Sequence, residues 1–493
     1  MNTLLLHRFL ATARRQPMHV AVYQGASSVG FGELAQRTVA IGNLLRQRIQ
    51  PGDRVALLIE NSADYIASCY GVWFAGGVVV GLNTALKADD LLWQIEHCEA
   101  SVLIAEAKYW QALNALLPAL TASRSLVVGS DEWLHALQAA ATDDCAILAS
   151  EMPAQIIYTS GTTGQPKGVL LSHANLAANI QSIQNYLNIR ADDVAMCVLP
   201  FFYSFGNSVL HSHLTLGSSL VLENSLMYPQ TILQQMHERR VTAFYGVPST
   251  YYILLARTQL NTDALAALRY CAQAGGAMDP ARIERFCAAL PQTEFVVMYG
   301  QTEASARLSW LPPADRARKA GSVGIPIPSV EFSVRGENDI ELEAGQTGEV
   351  CARGPNVMLG YWRDTEATQQ VLRDGWLHTG DVGYRDADGY LFLVGRSKEM
   401  IKSGAHRISP REIEEIIASV PGVGDVAVIG VEDELLGQSI KACVIGREDE
   451  ALRRLILRTC RECLPLYKMP KAVEFYAEFP RTASGKIQKH LIR

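Results

Sequence analysis

No stretch of this chain comes near the roughly 20 consecutive apolar residues that a membrane-spanning helix needs. The most apolar window, Val72 to Leu82, is too short, and Ala75-Gly76-Gly77 breaks it with a turn before Val78-Val79-Val80. Nor does the start read as a secretory signal peptide. The run Met1 to Leu10 is interrupted by His7 and Arg8, with Arg14 and Arg15 close behind, and fits a short amphipathic helix. Positive charge is not in excess. There are 44 Lys and Arg against 50 Asp and Glu, a formal net charge of −6, which argues against a nucleic-acid partner. Cysteines never fall in paired metal-ligand spacing. Of ten, only Cys460 and Cys463 lie close together, in a stretch that reads as helix, and no second pair completes a site. A neutral helix face explains them better than zinc or redox chemistry, and scattered reduced thiols fit a cytoplasmic protein. Internal repeats and low-complexity tracts are absent.

What is present is a globular composition, 48% hydrophobic and 19% charged, over 493 residues. That length is too great for one ordinary core, so a large domain and a smaller one are expected. Val55 to Ile59, after Pro51-Gly52-Asp53, reads as a buried strand, Ala63 to Phe74 as a helix, and Val102 to Ala105 as another strand. Strands and helices alternate through the first 330 residues, which implies an α/β fold with a large layered N-terminal domain. Character changes near Asp381. Asp386-Ala387-Asp388-Gly389-Tyr390 is a hairpin turn, and Leu391 to Val394 is the strand after it. The polar Gly395-Arg396-Ser397-Lys398-Glu399 is the candidate hinge, dividing 1–395 from 396–493. The C-terminal part reads as a small α+β domain. Its first helix has Ser409 as cap, Pro410 at the first helical position and Glu412 closing a capping box, and it ends at Pro421-Gly422. Gly422-Val423-Gly424-Asp425-Val426-Ala427 matches a dinucleotide fingerprint, but it follows a helix and opens a strand, the reverse of what that fingerprint requires.

The most informative segment is Tyr158-Thr159-Ser160-Gly161-Thr162-Thr163-Gly164-Gln165-Pro166-Lys167-Gly168-Val169, set between two apolar runs, Ala154 to Tyr158 and Val169 to Leu171. Glycines let the backbone turn tightly, and free N–H groups, four hydroxyls and one ammonium make a phosphate cradle. The spacing is not that of the nucleotide-triphosphatase loop, because the lysine lies three after Gly164 and is followed by glycine. A flexible surface linker is the alternative, but linkers do not usually sit between two hydrophobic strands. Further on, Tyr299-Gly300-Gln301-Thr302-Glu303 puts an aromatic ring, a hydroxyl and a carboxylate at the end of the run Phe295 to Met298. Strand ends of this kind commonly bind ligands in α/β enzymes, and a carboxylate is a hard ligand suited to Mg²⁺. Gln273-Ala274-Gly275-Gly276-Ala277 also ends a short strand. Its glycines would let a flat ligand approach the backbone, although a simple turn would look the same.

Taken with Trp376-Leu377-His378-Thr379-Gly380-Asp381 and Pro480-Arg481-Thr482-Ala483-Ser484-Gly485-Lys486, these motifs resemble, in order and over essentially the whole chain, the adenylate-forming superfamily. It includes acyl- and aryl-CoA synthetases, stand-alone adenylation domains and beetle luciferases. The resemblance implies that ATP and a small carboxylic acid react to an acyl-adenylate and pyrophosphate, and that a phosphopantetheine thiol, of CoA or of an acyl or peptidyl carrier protein, then takes the acyl group. It places Thr159, Ser160, Gly161, Thr162, Thr163, Gly164 and Lys167 on the leaving pyrophosphate, with Gly276 and Ala277 beside the adenine. Tyr299 and Gly300 also face the nucleotide, Tyr299 by stacking on adenine. Thr302 would contact phosphate, Glu303 would hold Mg²⁺, and Asp381 with Arg396 would bind the ribose hydroxyls. Lys486 is implied as the catalytic lysine, since a cation over both oxygens offsets the repulsion between two anions. His378 invites a general-base reading, but the attacking carboxylate is already ionised, so a structural histidine fits better.

The same resemblance makes Lys398 the hinge of a mobile C-terminal domain and puts Lys402, Gly404 and Ala405 at the thiol tunnel, as part of Lys402 to His406. Ala405 stands where glycine is usual, and Gln488-Lys489-His490 where a basic pair is common. Tyr203, Ser208, Gly246, Gly275, Gly300 and Arg307 are implied near the acid. Arg307 is unusual at a position where apolar residues are frequent; it contacts either a polar group of the substrate or a structural ion-pair partner. The Asn207 to Leu214 helix lacks a starting aspartate, which disfavours an ordinary α-amino acid. An aromatic or short-to-medium acid is expected. A luciferase-like oxidoreductase and a non-catalytic nucleotide-binding relative are the competing classes; intact Lys167, Glu303, Asp381 and Lys486 argue against the second.

Overall fold

The computed structural model describes residues 4–116, 125–139, 145–159, 166–396, 399–403, 406–433, 437–481 and 487–492. By packing, the chain divides into two compact units. The first comprises residues 1–320, 324–331 and 353–377, and the second 321–323, 332–352 and 378–493.

Two largely parallel sheets build the first unit. The nine-stranded one runs, in order, Ile325–Pro326, Ser309–Leu311, Glu294–Tyr299, Tyr270–Gln273, Ala243–Gly246, Val194–Cys197, Ser219–Leu222, Val20–Gln24 and Ser27–Gly30. Its six central strands are parallel, so Tyr299, Gln273 and Gly246 lie at one edge, the carboxyl ends. The seven-stranded sheet runs Gly360–Tyr361, Lys167–Ser172, Pro153–Thr159, Val78–Gly81, Arg54–Leu58, Ala100–Glu106 and Ser125–Val128. Strands such as Val78–Gly81 are buried on both faces, which explains why they read as unbroken apolar runs rather than alternating ones.

Helices Ala63–Phe74, His173–Tyr186 and Ser204–Leu214 share one core with residues of both sheets. Ser62 starts the first by accepting a hydrogen bond from Tyr65 N. Within that core Tyr70 Oη lies 2.9 Å from His211 Nδ1, and Trp73 stacks on His211. Trp73 Nε1 also donates to Ala154 O at 2.8 Å, which ties the packed interior to the strand that leads into the glycine-rich loop.

The second unit is built on two further sheets. One contains Glu331–Arg335, Gly348–Arg353, Trp376–Arg385 and Leu391–Arg396. The other orders His406–Ile408, Ile401–Ser403, Gly437–Gly446 and Val423–Asp433, with Ala472–Tyr476 pairing in parallel on Gly437–Gly446. Helices Pro410–Ala418 and Glu450–Cys463 cover the latter sheet through Ile413, Ile417, Ile456 and Cys460, while Cys463 is exposed. The strand at Val423 follows a helix, so the glycine fingerprint there is a turn, with Gly422 at φ +98°.

Three local expectations change. Ser409 caps no helix through its side chain: its hydroxyl donates to Val394 O, and Glu412 is drawn to Lys468 Nζ at 2.6 Å, so no capping box forms. The strand after the Asp386 hairpin runs on to Arg396, because Gly395 and Arg396 pair with Val382 and Asp381. The helix expected from Asn207 starts at Ser204, with Tyr203 as its extended cap. That start needs Gly206, where a Cβ would meet Pro200 O at 2.2 Å.

Gly42, inside helix Phe31–Arg46, supplies a test of this packing. Alanine there gains up to about 1 kcal/mol of helix propensity. Its Cβ would fall 2.5 Å from Cδ1 of the fully buried Phe74, and such overpacking costs about 1–3 kcal/mol. Gly42→Ala is therefore expected to lower the urea midpoint; a raised midpoint would show that the Phe31–Arg46 and Ala63–Phe74 helices are not so closely packed.

Candidate active site

Thr159 and Lys167 are the two feet of the glycine-rich loop. They face each other across an antiparallel pair, and Thr159 Oγ1 donates to Lys167 O at 3.4 Å. Ser160, Gly161, Thr162, Thr163 and Gly164 lie outside the described residues. The edge strand Gly360–Tyr361 flanks this hairpin, with Trp362 N donating to Gly168 O at 2.7 Å. It places the Tyr361 ring 4.8 Å from Lys167 Nζ, a cation–π distance, and Tyr361 Oη donates to Glu303 Oε1 at 2.8 Å. Tyr361 thus joins the loop lysine to the strand-end carboxylate. No sequence signal singled it out, because its role depends on an edge strand far along the chain from the loop.

Tyr299 is the last residue of its strand and is buried. Gly300 follows because nothing larger fits: a Cβ would meet Ala306 O at 2.1 Å. Thr302 and Glu303 then form a single 3₁₀ turn. Thr302 Oγ1 lies 3.3 Å from Ser204 Oγ, and Met358 N donates to Glu303 O at 2.8 Å. Two buried amides fix the next residues. Asn356 Nδ2 donates to Ala304 O at 3.1 Å and to Arg307 O at 2.9 Å, and Asn179 Nδ2 to Arg307 O at 2.9 Å. Ser305, at φ +63°, is held in that conformation by its Oγ donating to Asn356 O at 2.7 Å. Glu303 keeps Oε2 without a partner among the described residues. A half-buried carboxylate with a free hard oxygen suits a magnesium ion that arrives on ATP.

At the neighbouring strand ends, Gly246 closes Ala243–Gly246 and Gly275 takes φ +87°. Gly275, Gly276 and Ala277 are exposed, and Gln273 Nε2 donates to Gly276 O at 2.7 Å, so the turn is braced and its outer face is open. Tyr203 Oη accepts from Asn83 Nδ2 at 3.3 Å, and burial pushes its phenol up to about 12. Ser208 is buried and its hydroxyl donates to Phe205 O at 2.6 Å, within its own helix. Arg307 is buried with its guanidinium 4.0 Å above the Phe205 ring. No carboxylate among the described residues pairs with it.

The remaining positions belong to the second unit. Asp381 is buried, and Arg396, directly opposite in register, donates Nε to its Oδ1 at 3.0 Å. His378 is buried, with Nδ1 3.0 Å from Glu349 Oε2 and 3.4 Å from Cys351 Sγ. Glu349 Oε1 in turn accepts from Gly380 N at 3.2 Å, so this cluster shapes the backbone just before Asp381. Lys402 stands in the strand Ile401–Ser403. Lys398, Gly404, Ala405 and Lys486 lie outside the described residues.

A carboxylate at the carboxyl end of a parallel sheet, joined through a tyrosine to the lysine of a glycine-rich hairpin, suits an α/β enzyme that handles a nucleotide. Comparison gives the family: the chain belongs to the AMP-binding enzymes, matching that family over residues 9–362 and its C-terminal domain over 412–486. It is 35% identical over 494 residues to a feruloyl-CoA synthase of an Amycolatopsis species, across 98% of this chain and 96% of that protein. It is 34% identical over 451 residues to an indoleacetate–CoA ligase of Aromatoleum aromaticum, across 89% and 87%. The crystal structure of ATP-bound MatB from Rhodopseudomonas palustris superposes with a TM-score of 0.92 at 30% identity, covering 100% of this chain and 98% of that one. The protein is an AMP-forming ligase: it uses ATP to activate a carboxylic acid as an acyl-adenylate and passes the acyl group to a thiol.

Burial around these elements has a consequence in acid. It holds the imidazoles of His173 and His213 down to about 4 and that of His211 to about 3, from 6.5. The unfolded chain therefore takes up protons first, and stability falls as pH drops from 6.5 through these values. Each histidine contributes a slope of up to about 1.4 kcal/mol per pH unit in that window. Denaturant titrations at stepped pH check this; stability unchanged between pH 6.5 and about 4.5 would contradict it.

Proposed function

We propose that the acid is aromatic, that the acceptor is free CoA, and that the nucleotide binds between the glycine-rich loop and the Tyr299 strand end. The contact chain from Lys167 through Tyr361 to Glu303 carries the nucleotide site, because it joins a cation and a hard carboxylate through one tyrosine at the foot of the loop. Thr159 to Lys167 hold the departing pyrophosphate, Tyr299 stacks on adenine, and Thr302 contacts phosphate. Gly276 and Ala277 leave room beside the base. Asp381 takes the ribose hydroxyls, with Arg396 fixing its carboxylate. Glu303 would hold Mg²⁺, whose charge would offset that of the phosphates.

Lys486 supplies the positive charge over the attacking carboxylate and the α-phosphate. Lys398 is the hinge, and residues 396–493 move as a body between the half-reactions, since the lysine and the incoming thiol need the same space. Lys402, Gly404 and Ala405 then line the path of the pantetheine arm. The acid lies against Tyr203, Ser208, Gly246, Gly275, Gly300 and Arg307, with Phe202 and Phe205 adding aromatic surface. Two relatives whose names specify aryl acids and CoA, feruloyl-CoA synthase and indoleacetate–CoA ligase, support the choice of acid and acceptor. A cytoplasmic setting, where ATP and CoA are available, goes with ten cysteines that form no disulfide among the described residues.

The decisive assay is pyrophosphate release with Mg-ATP across aryl, fatty and amino acids, with and without CoA. Release that is greatest with an aryl acid and rises with CoA is expected; turnover that ignores CoA and needs a carrier protein would overturn the acceptor. Lys486→Ala should cut adenylate formation by roughly 10²–10³-fold, the usual loss when one donor to developing charge is removed. Thioester formation from preformed acyl-adenylate should suffer far less. Equal losses in both steps would remove Lys486 from its assigned role.

A further inference from the structure

Arg307 is 3% exposed, yet no carboxylate among the described residues neutralises it. Nη1 donates to Ala306 O at 3.3 Å and the Tyr186 hydroxyl lies beside the group, but Nε has no acceptor among the described residues. The contrast with Arg269 is direct. That arginine, in the same unit, donates Nη2 to the buried Asp193 at 2.6 Å. A guanidinium stays charged at any ordinary pH, and a buried one without a counter-ion is costly to the fold. Desolvation lowers the pKa of Arg307 by more than the neighbouring Tyr186 and Tyr245 raise it.

The position of the group is equally specific. Its backbone packs on Gly300, which follows Tyr299, and its guanidinium covers the ring of Phe205. Phe205 adjoins Ser204, the partner of Thr302, and meets the edge of Tyr245, which precedes Gly246. Arg307 therefore sits among the strand ends that receive the acid, an inference that rests on the reading proposed above. The reacting carboxylate is a poor occupant, because a tight ion pair would stabilise the ground state of the nucleophile.

We propose that Arg307 is the counter-ion for a second carboxylate on the substrate, so that the preferred acids are dicarboxylic, with one carboxylate adenylated and the other held by this guanidinium. Selectivity follows from desolvation on both sides. A diacid completes the pair, whereas a monoacid of the same shape leaves the charge buried and unmatched.

The test uses matched pairs on the unaltered enzyme: 4-carboxycinnamate, 4-carboxyphenylacetate, terephthalate and pimelate, each against its distal monomethyl ester. Pyrophosphate release is read as kcat/KM. For at least one pair the free diacid is expected to lead by about 100-fold, the scale of a buried charge pair. Arg307→Met should cut that ratio by at least about 30-fold, and Arg307→Lys should retain part of it, mainly through a raised KM. The inference is overturned if no free diacid outpaces its ester, or if Arg307→Met lowers both members of a pair equally. Activity on the esters with no preference for diacids would sink this inference alone. Silence with every acid, these and the wider panel, would instead sink the reading of the site on which it rests.

Discussion

Two anions must meet in this protein, a carboxylate and a phosphate, and their repulsion constrains everything around them. At 4 Å two like charges oppose each other by about 1 kcal/mol in bulk water and about 4 kcal/mol near a protein surface. The first unit places positive and neutral hydrogen-bonding groups at the carboxyl ends of its parallel strands, where backbone and side chains converge on one edge. Lys167 stands there against Tyr361, and Tyr361 holds Glu303. On the proposed reading the strongest cation, Lys486, comes from the other end of the chain. That arrangement lets the positive charge be present for one half-reaction and absent for the next.

Such an edge functions only if it does not relax around its ligand. The turn after Tyr299 is held by backbone steric limits and by buried amides rather than by surface contacts. Gly300 has no room for a side chain, Asn356 and Asn179 grip Ala304 and Arg307 through their carbonyls, and Ser305 is held at positive φ. Groups fixed in advance need no reorganisation when charge develops, which is the main source of electrostatic catalysis. The Pro153–Thr159 strand is likewise held, since Trp73 anchors it to the aromatic and histidine-rich core.

The motifs most legible in sequence are those whose parts are neighbours in the chain. A strand end followed by Tyr-Gly-Gln-Thr-Glu, or a glycine-rich turn between two apolar strands, writes its local geometry into consecutive residues. Readings failed where a distant partner intervened. Ser409 and Glu412 have the spacing of a capping box, but their hydrogen bonds go to Val394 and Lys468, 15 and 56 residues away. Gly395 and Arg396 look like linker residues and are strand residues, because Val382 and Asp381 offer them a ladder. Tyr361 gave no signal at all, since an edge strand two residues long has no periodicity to detect.

By itself the sequence determined the α/β architecture, the placing of the glycine-rich loop and the carboxylate at strand ends, and the class of chemistry. Hydrophobic periodicity and turn residues act over a few positions, so the architecture and the strand-end placing need no knowledge of the rest of the chain. The class of chemistry rests instead on the resemblance of several motifs, in order along the whole chain, to the adenylate-forming superfamily. Only the tertiary structure decided which charges are neutralised. Arg269 and Arg307 are indistinguishable as residues, yet one meets Asp193 and the other meets Phe205. The cost of a buried charge depends on what stands within a few ångströms of it, and those neighbours come from segments that the chain keeps far apart.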